Sequence, residues 1–183
     1  MAEDILVLDN VNITYGKLTA VRDVSLRLKA GETFGLIGLN GAGKTSLIKC
    51  ILGLRTASGG RITVFGKPPQ SKAGRELLVF LPERFEPPWF LSGMEFVKFS
   101  LALYREPFDE QKVIDYARRL ALDPDALRRR VQTYSKGMRQ KLGLIATILT
   151  GSKLMILDEP MSGLDPLARA LVNNPQILLL DEP

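Results

Sequence analysis

Apolar positions recur along this chain with two different periods. In the first third they alternate or cluster in short β-branched stretches: Ile5 to Leu8, Val24 to Leu28 and Arg61 to Phe65, each bounded by Gly, Asn or Pro. This pattern predicts strands. Thr33-Phe34-Gly35-Leu36-Ile37 is mostly apolar, as in a buried parallel strand. It runs into a glycine-rich turn, Gly38 to Gly43, and then a helical segment from Lys44 to Leu52. Leu77 to Leu81 predicts another strand. Pro82, Pro87 and Pro88 crowd the next stretch, which reads as a loop or hinge.

From Glu95 to about Arg130 the period changes. Phe96, Phe99, Leu103, then Val113, Tyr116, Ala117 and Leu120 fall at helical spacings, with breaks at Pro107 and Pro124. Ser135 is placed to cap a helix from Lys136 to about Leu149. Leu154 to Leu157 predicts a strand that ends in Asp158-Glu159-Pro160. Asp165-Pro166 opens one more helix. Finally, Ile177 to Pro183 echoes Leu154 to Pro160 at an offset of 23 residues, with four of seven positions identical. A single echo does not make a solenoid.

Composition narrows the chemistry. The 183 residues contain no histidine, which excludes an imidazole base, a Ser-His-Asp triad and a His-ligated metal. Cys50 is the only cysteine, so there is no intrachain disulfide and no Cys-rich zinc site. A lone cysteine fits a reducing compartment. The net charge of +5 is compatible with anionic ligands, nucleic acid or a membrane-facing partner and does not choose among them. Met1-Ala2-Glu3-Asp4 is acidic where a secretory signal is basic. No run approaches the roughly 18 apolar residues of a spanning helix, so the sequence predicts a soluble chain. Residues 116–141 carry eight basic and two acidic side chains, including Arg128-Arg129-Arg130. With few aromatics among them, a solvated helix face is favoured over a nucleic-acid patch.

Two segments carry chemistry. Gly38-Leu39-Asn40-Gly41-Ala42-Gly43-Lys44-Thr45 matches a phosphate-binding loop, the Walker A pattern, set between an apolar strand and a helix. Glycines let backbone N–H groups converge on phosphate oxygens, and the following helix points its positive end at the same anion. Gly38, Asn40, Gly41, Ala42, Gly43, Lys44, Thr45 and Ser46 are therefore the candidate nucleotide-binding residues. Lys44 is expected to reach the β and γ phosphates, and Thr45 to ligand Mg²⁺. Asp158 and Glu159 end a second buried strand, where carboxylates face the ligand crevice of a parallel sheet. Alone they read equally as a solvated acidic turn. Beside a phosphate loop, Asp158 is expected to hold Mg²⁺ and Glu159 to activate the attacking water.

Four motifs occur in order: the phosphate loop, Tyr134-Ser135-Lys136-Gly137-Met138, Leu157-Asp158-Glu159-Pro160, and Ser162-Gly163-Leu164-Asp165. Together they resemble the nucleotide-binding subunit of an ABC transporter over about residues 4–172. The variant Tyr-Ser-Lys-Gly-Met, 23 residues before Asp158, and Leu81-Pro82-Glu83 resemble exporter-type subunits. The resemblance implies an α/β fold: a P-loop NTPase (RecA-like) core with an N-terminal antiparallel β part and a helical insertion. It places the core at 1–84 and 135–172, the insertion at 85–134 and an anomalous tail at 173–183. It implies ATP and Mg²⁺ as cofactors and hydrolysis that energises transport, with export favoured. Its implied partners are a transmembrane permease subunit and a second nucleotide-binding subunit, head to tail, with no nucleic acid. The implied location is cytoplasmic, on the inner face of the membrane.

Residue by residue, the resemblance makes Tyr15 the aromatic that stacks on adenine; an ordinary strand-end tyrosine is the competing reading. Ser135 and Gly137 match the signature that contacts the γ-phosphate of the opposite subunit, and a plain helix cap is the alternative. Asp165 matches a residue lying across the dimer interface, or a simple N-cap. Glu83 stands where the family usually has Gln, beside the metal and the γ-phosphate. It can accept from a metal-bound water but cannot donate an amide hydrogen bond. Phe85, Trp89 and Phe90 face a membrane partner or pack between the two lobes.

The pattern also breaks. The family carries a switch histidine on a strand beyond Asp165, and here Leu167 to Pro175 and Ile177 to Pro183 stand instead. This predicts a truncated or chimeric cassette, joined near Leu167 to Leu171, in which Asp181 and Glu182 have no catalytic role. Ile177 to Leu180 alternatively fills the missing strand's slot. Two further readings are a nucleotide-binding fragment deficient in hydrolysis and a soluble ABC ATPase unconnected with transport.

Overall fold

The structure, a computed structural model, describes residues 3–39, 41–158 and 176–181. The chain divides into two compact units. The first comprises the described residues up to Phe80 together with Lys153–Asp158 and Gln176–Asp181; the second spans Leu81–Ser152.

The first unit opens with a long hairpin, β1 (Asp4–Tyr15) and β2 (Leu18–Lys29). The two-residue turn between Tyr15 and Leu18 places Gly16 at φ 58°, a conformation that costs glycine little. β4 (Gly59–Val64) pairs antiparallel with the other edge of β1, giving the order β2-β1-β4. A second sheet runs β3-β7-β6-β5, from β3 (Thr33–Ile37), β7 (Gln176–Asp181), β6 (Leu154–Asp158) and β5 (Leu78–Leu81). β7 pairs in parallel with both β3 and β6, with Ile37 opposite Asp181 and Asp158 opposite Leu180. The tail therefore takes a slot inside the sheet.

Between the sheets' side chains lies an apolar core. β1 contributes Ile5, Leu6, Leu8, Val11 and Ile13, and β6 contributes Leu154 and Ile156. Helix α1 (Lys44–Ile51) adds Leu47, Ile48 and Ile51, one face of a single helical stripe. β3 departs from the expected fully buried strand. Phe34 and Leu36 pack on the core, but Thr33, Gly35 and Ile37 are exposed. β3 ends the sheet order, and the core covers only one of its faces.

After the short helix α2 (Lys72–Arg75) and β5, the second unit is helical: α3 (Gly93–Leu103), α4 (Glu110–Arg119) and α5 (Lys136–Leu149), with 3-10 turns at Pro124–Arg128 and Val131–Thr133. The buried stripe of α3 is Gly93, Phe96, Val97 and Leu101. Phe99 and Leu103, expected inside, are 50% and 67% exposed. α3 is apolar on most sides, so its spacing alone does not select the buried face.

α3 begins with a capping box. The Ser92 hydroxyl accepts from Glu95 N–H at 3.2 Å, and Glu95 accepts from Ser92 N–H at 2.7 Å. Hydrogen bonds from Ser92, its backbone N–H first, hold the Glu95 carboxyl below its ordinary pKa. The contribution is thus present above the usual carboxylate range and fades as pH falls through the lowered folded value. Replacing Ser92 by alanine is expected to cost about 1 kcal/mol, roughly 2–4 °C in melting temperature. Thermal melts of the two proteins check this; an unchanged midpoint would contradict it.

Candidate functional site

β3 delivers the chain to Gly38, and α1 takes it away from Gly43. The turn between them needs glycine at two places: Gly41 at φ 83° and Gly43 at φ 90°. Gly43 is the N-cap of α1 and provides no side-chain cap, and no acidic residue stands in the first turn. The first N–H groups of a helix lack intrahelical partners, so this end is available to an anion. The Lys44 ammonium donates to the carbonyls of Gly38 and, at 3.3 Å, of Leu39. Those two carbonyls hold the positive charge against the loop that would cradle the phosphates. Thr45 is exposed beside it and Ser46 is half-buried.

These residues line one side of a cleft of about 240 Å³ that also includes Tyr15, Leu18, Ala20 and Leu39. The structure therefore brings Tyr15 together with Gly41, Ala42, Gly43, Lys44, Thr45 and Ser46. The Tyr15 hydroxyl shares a 3.1 Å hydrogen bond with the Ser46 hydroxyl, and Tyr15 remains 41% exposed. The hairpin turn thus places an aromatic ring at the rim of a phosphate loop. A glycine-free loop would not fit here. A Cβ on Gly43 would lie 2.3 Å from the Ala20 carbonyl oxygen of β2. Asp158 ends β6, two strands from β3 in the same sheet, and is half-buried. The uncapped helix end, the ammonium and the glycine cradle fit a polyphosphate, and Thr45 and Asp158 supply the oxygen donors that Mg²⁺ favours. Asn40, Glu159 and Asp165 lie outside the described residues.

In the second unit, Ser135 caps α5 as the sequence predicts, its hydroxyl accepting from Met138 N–H at 3.2 Å. Ser135 is exposed, and a Cβ on Gly137 would meet only the Ser135 hydroxyl, at 4.0 Å. The segment is held from behind by Tyr134. Its buried hydroxyl donates to the Ala126 carbonyl at 2.6 Å, and burial pushes its pKa up to about 12. Glu83 is half-buried and lines a separate cleft with Arg84, Phe85, Glu86, Lys136, Arg139 and Gln140. Phe85 packs inside this unit, edge-on to Phe96 at 5.5 Å, and would meet any Cβ on Gly143. Trp89 and Phe90, by contrast, are 63% and 56% exposed. Arg118, Arg119 and Arg128 to Arg130 are exposed, as a solvated helix face requires.

The sequence profile of the ABC transporter family matches residues 21–162. The chain belongs to that family. An uncharacterized ABC transporter ATP-binding protein of Synechocystis is 37% identical over 84% of this chain and 44% of its own length. The Nod factor export ATP-binding protein I of Rhizobium etli is 33% identical over 89% of this chain and 52% of its own. The chain spans about half the length of the curated relatives it matches. Among solved structures, an ATP-binding subunit of an ABC transporter superposes with a TM-score of 0.86 at 26% identity, covering 97% of this chain and 79% of that one. An ABC transporter protein of Pyrococcus furiosus has the same fold, with a TM-score of 0.85 at 21% identity. The α/β P-loop fold expected from the motifs is thus the fold of this ABC family member. No helix among the described residues is long and apolar enough to cross a membrane.

Three contributors escaped the sequence. Ala20 abuts Gly43, Tyr134 anchors the signature segment, and Arg55 lies over the Tyr15 ring. The Ala20 and Arg55 contacts join residues 23 and 40 positions apart and the Tyr134 bond reaches back eight, so no local spacing announces them.

Proposed function

We propose that this chain binds Mg·ATP in the cleft between Tyr15 and the phosphate loop and hydrolyses it to energise transport through a separate membrane partner. The observation that carries the reading is the cleft itself: an uncapped helix N-terminus, the Lys44 ammonium over the loop carbonyls and an aromatic ring at the rim. In this reading Lys44 and the loop amides hold the triphosphate and Tyr15 holds the base. Thr45 and Asp158 are the metal-side donors, and Glu159 accepts the proton of the attacking water. Mg²⁺ supplies charge neutralisation to the transferring phosphoryl group when bound.

Ser135 and Gly137 serve the site of a second nucleotide-binding subunit packed head to tail. An exposed N-cap on α5 supports that role. Export is favoured by relatives named for Nod factor export and lantibiotic transport. The working location is the cytoplasmic face of the membrane, reached through the permease partner.

A second reading keeps binding and omits turnover. It is favoured by β7 standing between β3 and β6, a slot that the repeated Asp-Glu segment fills here. Calorimetric titration of Mg·ATP and phosphate release, both on one purified sample, separate the two. Micromolar binding with turnover is the expected result. Binding without turnover would favour the second reading, and no binding would remove both.

A further inference from the structure

The loop that follows α1 returns beneath the hairpin. Leu54 and Arg55 N–H groups both donate to the Lys49 carbonyl, at 2.9 and 3.2 Å. Ser58 continues the tether: its N–H donates to the Asn12 carbonyl, and its hydroxyl accepts from Thr14 N–H at 3.0 Å. Arg55 is thereby fixed alongside the end of β1. It donates to the Thr14 carbonyl at 2.8 Å, and its guanidinium carbon lies 3.9 Å from the Tyr15 ring centroid. Its Nε is buried with no hydrogen-bond partner. One hydrogen bond to Thr14 and the face of the Tyr15 ring therefore fix the guanidinium, whose Nε gains no partner from this placement.

Tyr15 lines the nucleotide cleft and Arg55 does not, so the guanidinium covers the ring from outside the cleft. The ring is clamped twice, by Arg55 on its face and by Ser46 at its hydroxyl. Two effects follow. A ring fixed before binding does not have to be ordered by the base. A cation on one face also draws π density toward itself, which eases stacking of a second aromatic on the other face.

We propose that Arg55 is the positioning residue for Tyr15, so that the contribution of the base to nucleotide affinity in this chain depends on Arg55. The inference rests on the reading of Tyr15 as the base-stacking residue. The test compares Mg·ATP with Mg·tripolyphosphate, which has no base, by calorimetric titration of the whole chain. Arg55→Ala is expected to weaken Mg·ATP binding about 3- to 10-fold and tripolyphosphate binding less than about 2-fold. Mg·GTP should follow ATP, because stacking on Tyr15 suits any purine. Arg55→Lys should recover part of the loss, since it keeps the charge without the planar fork. Arg55→Met keeps the buried stem and substitutes for the alanine variant if that one fails to fold. In a Tyr15→Ala background, Arg55→Ala should change ATP affinity no further.

Equal losses for ATP and tripolyphosphate would overturn the inference, because Arg55 would then act as a charge or a scaffold. Additive losses in the double variant would overturn it as well. An Arg55→Ala protein that binds ATP normally while Tyr15→Ala does not would remove Arg55 and leave the stacking role intact. A Tyr15→Ala protein with unchanged ATP affinity would remove the stacking role and the inference with it.

Discussion

Replacing Lys44 by alanine is expected to weaken Mg·ATP binding roughly 10- to 150-fold, about 1.5–3 kcal/mol. The amine donates to the carbonyls of Gly38 and Leu39, the two residues that open the loop. Those carbonyls are the negative ends of dipoles on a surface that has to receive a polyanion. With the ammonium present, a cation stands between them and the phosphates; without it, the loop offers its amides and also two exposed acceptors. Affinity therefore loses an attraction and gains a repulsion. Turnover should fall further, by about 10²- to 10³-fold, because a preorganised donor is removed from the phosphoryl group as its charge redistributes. Fold stability should hardly change, since Lys44 is only half-buried and the Gly38 and Leu39 carbonyls it donates to belong to residues that are not buried. Titration, phosphate release and a thermal melt on the one variant check all three expectations. Unchanged nucleotide affinity would mean that the loop amides and α1 suffice, and that Lys44 is a structural brace.

Much of this site is legible because its chemistry is local. A strand, six residues of glycine-rich turn and a helix lie contiguous in sequence, so the phosphate loop can be read without knowing what packs beside it. Ser135 is readable for the same reason, since an N-cap bonds three residues ahead. The hairpin is harder. Asp9-Asn10 looks like the end of a strand, yet β1 runs on to Tyr15. Asn10 adopts φ 47°, and the pairing register shifts between Leu8 and Val11, so the polar pair is absorbed as an irregularity instead of ending the strand. In α3, Phe99 and Leu103 match the helical period as well as Phe96 does, and only tertiary packing distinguishes them. Arg55 is the extreme case. Its partner is a ring 40 positions away in sequence, and an arginine after a helix reads as an ordinary surface charge.

The second large effect belongs to Gly43. Substituting alanine there is expected to destabilise the protein by about 2–5 kcal/mol, combining a left-handed backbone strain of about 1–2 kcal/mol with overpacking of about 1–3 kcal/mol. The first term comes from φ 90°, and the second from a Cβ that would sit 2.3 Å from the Ala20 carbonyl oxygen and 2.8 Å from the Val21 side chain. Backbone cannot swing aside as a flexible side chain can, so either β2 or the phosphate loop must move. Gly41→Ala is the matched control: it shares the left-handed conformation at φ 83° but has nothing within 4 Å of its Cβ. Gly43→Ala should therefore melt about 2–12 °C below Gly41→Ala. Equal melting of the two would show that the contact with Ala20 yields at no cost. The nucleotide readout follows from the same contact. β2 forms the hairpin with β1, and β1 ends at Tyr15. A side chain forced between Gly43 and β2 pushes the phosphate loop away from the strand pair that carries the ring. Phosphate and base would then no longer meet their own sites at once, so Mg·ATP affinity should fall at least about 10-fold even at temperatures where the variant is folded.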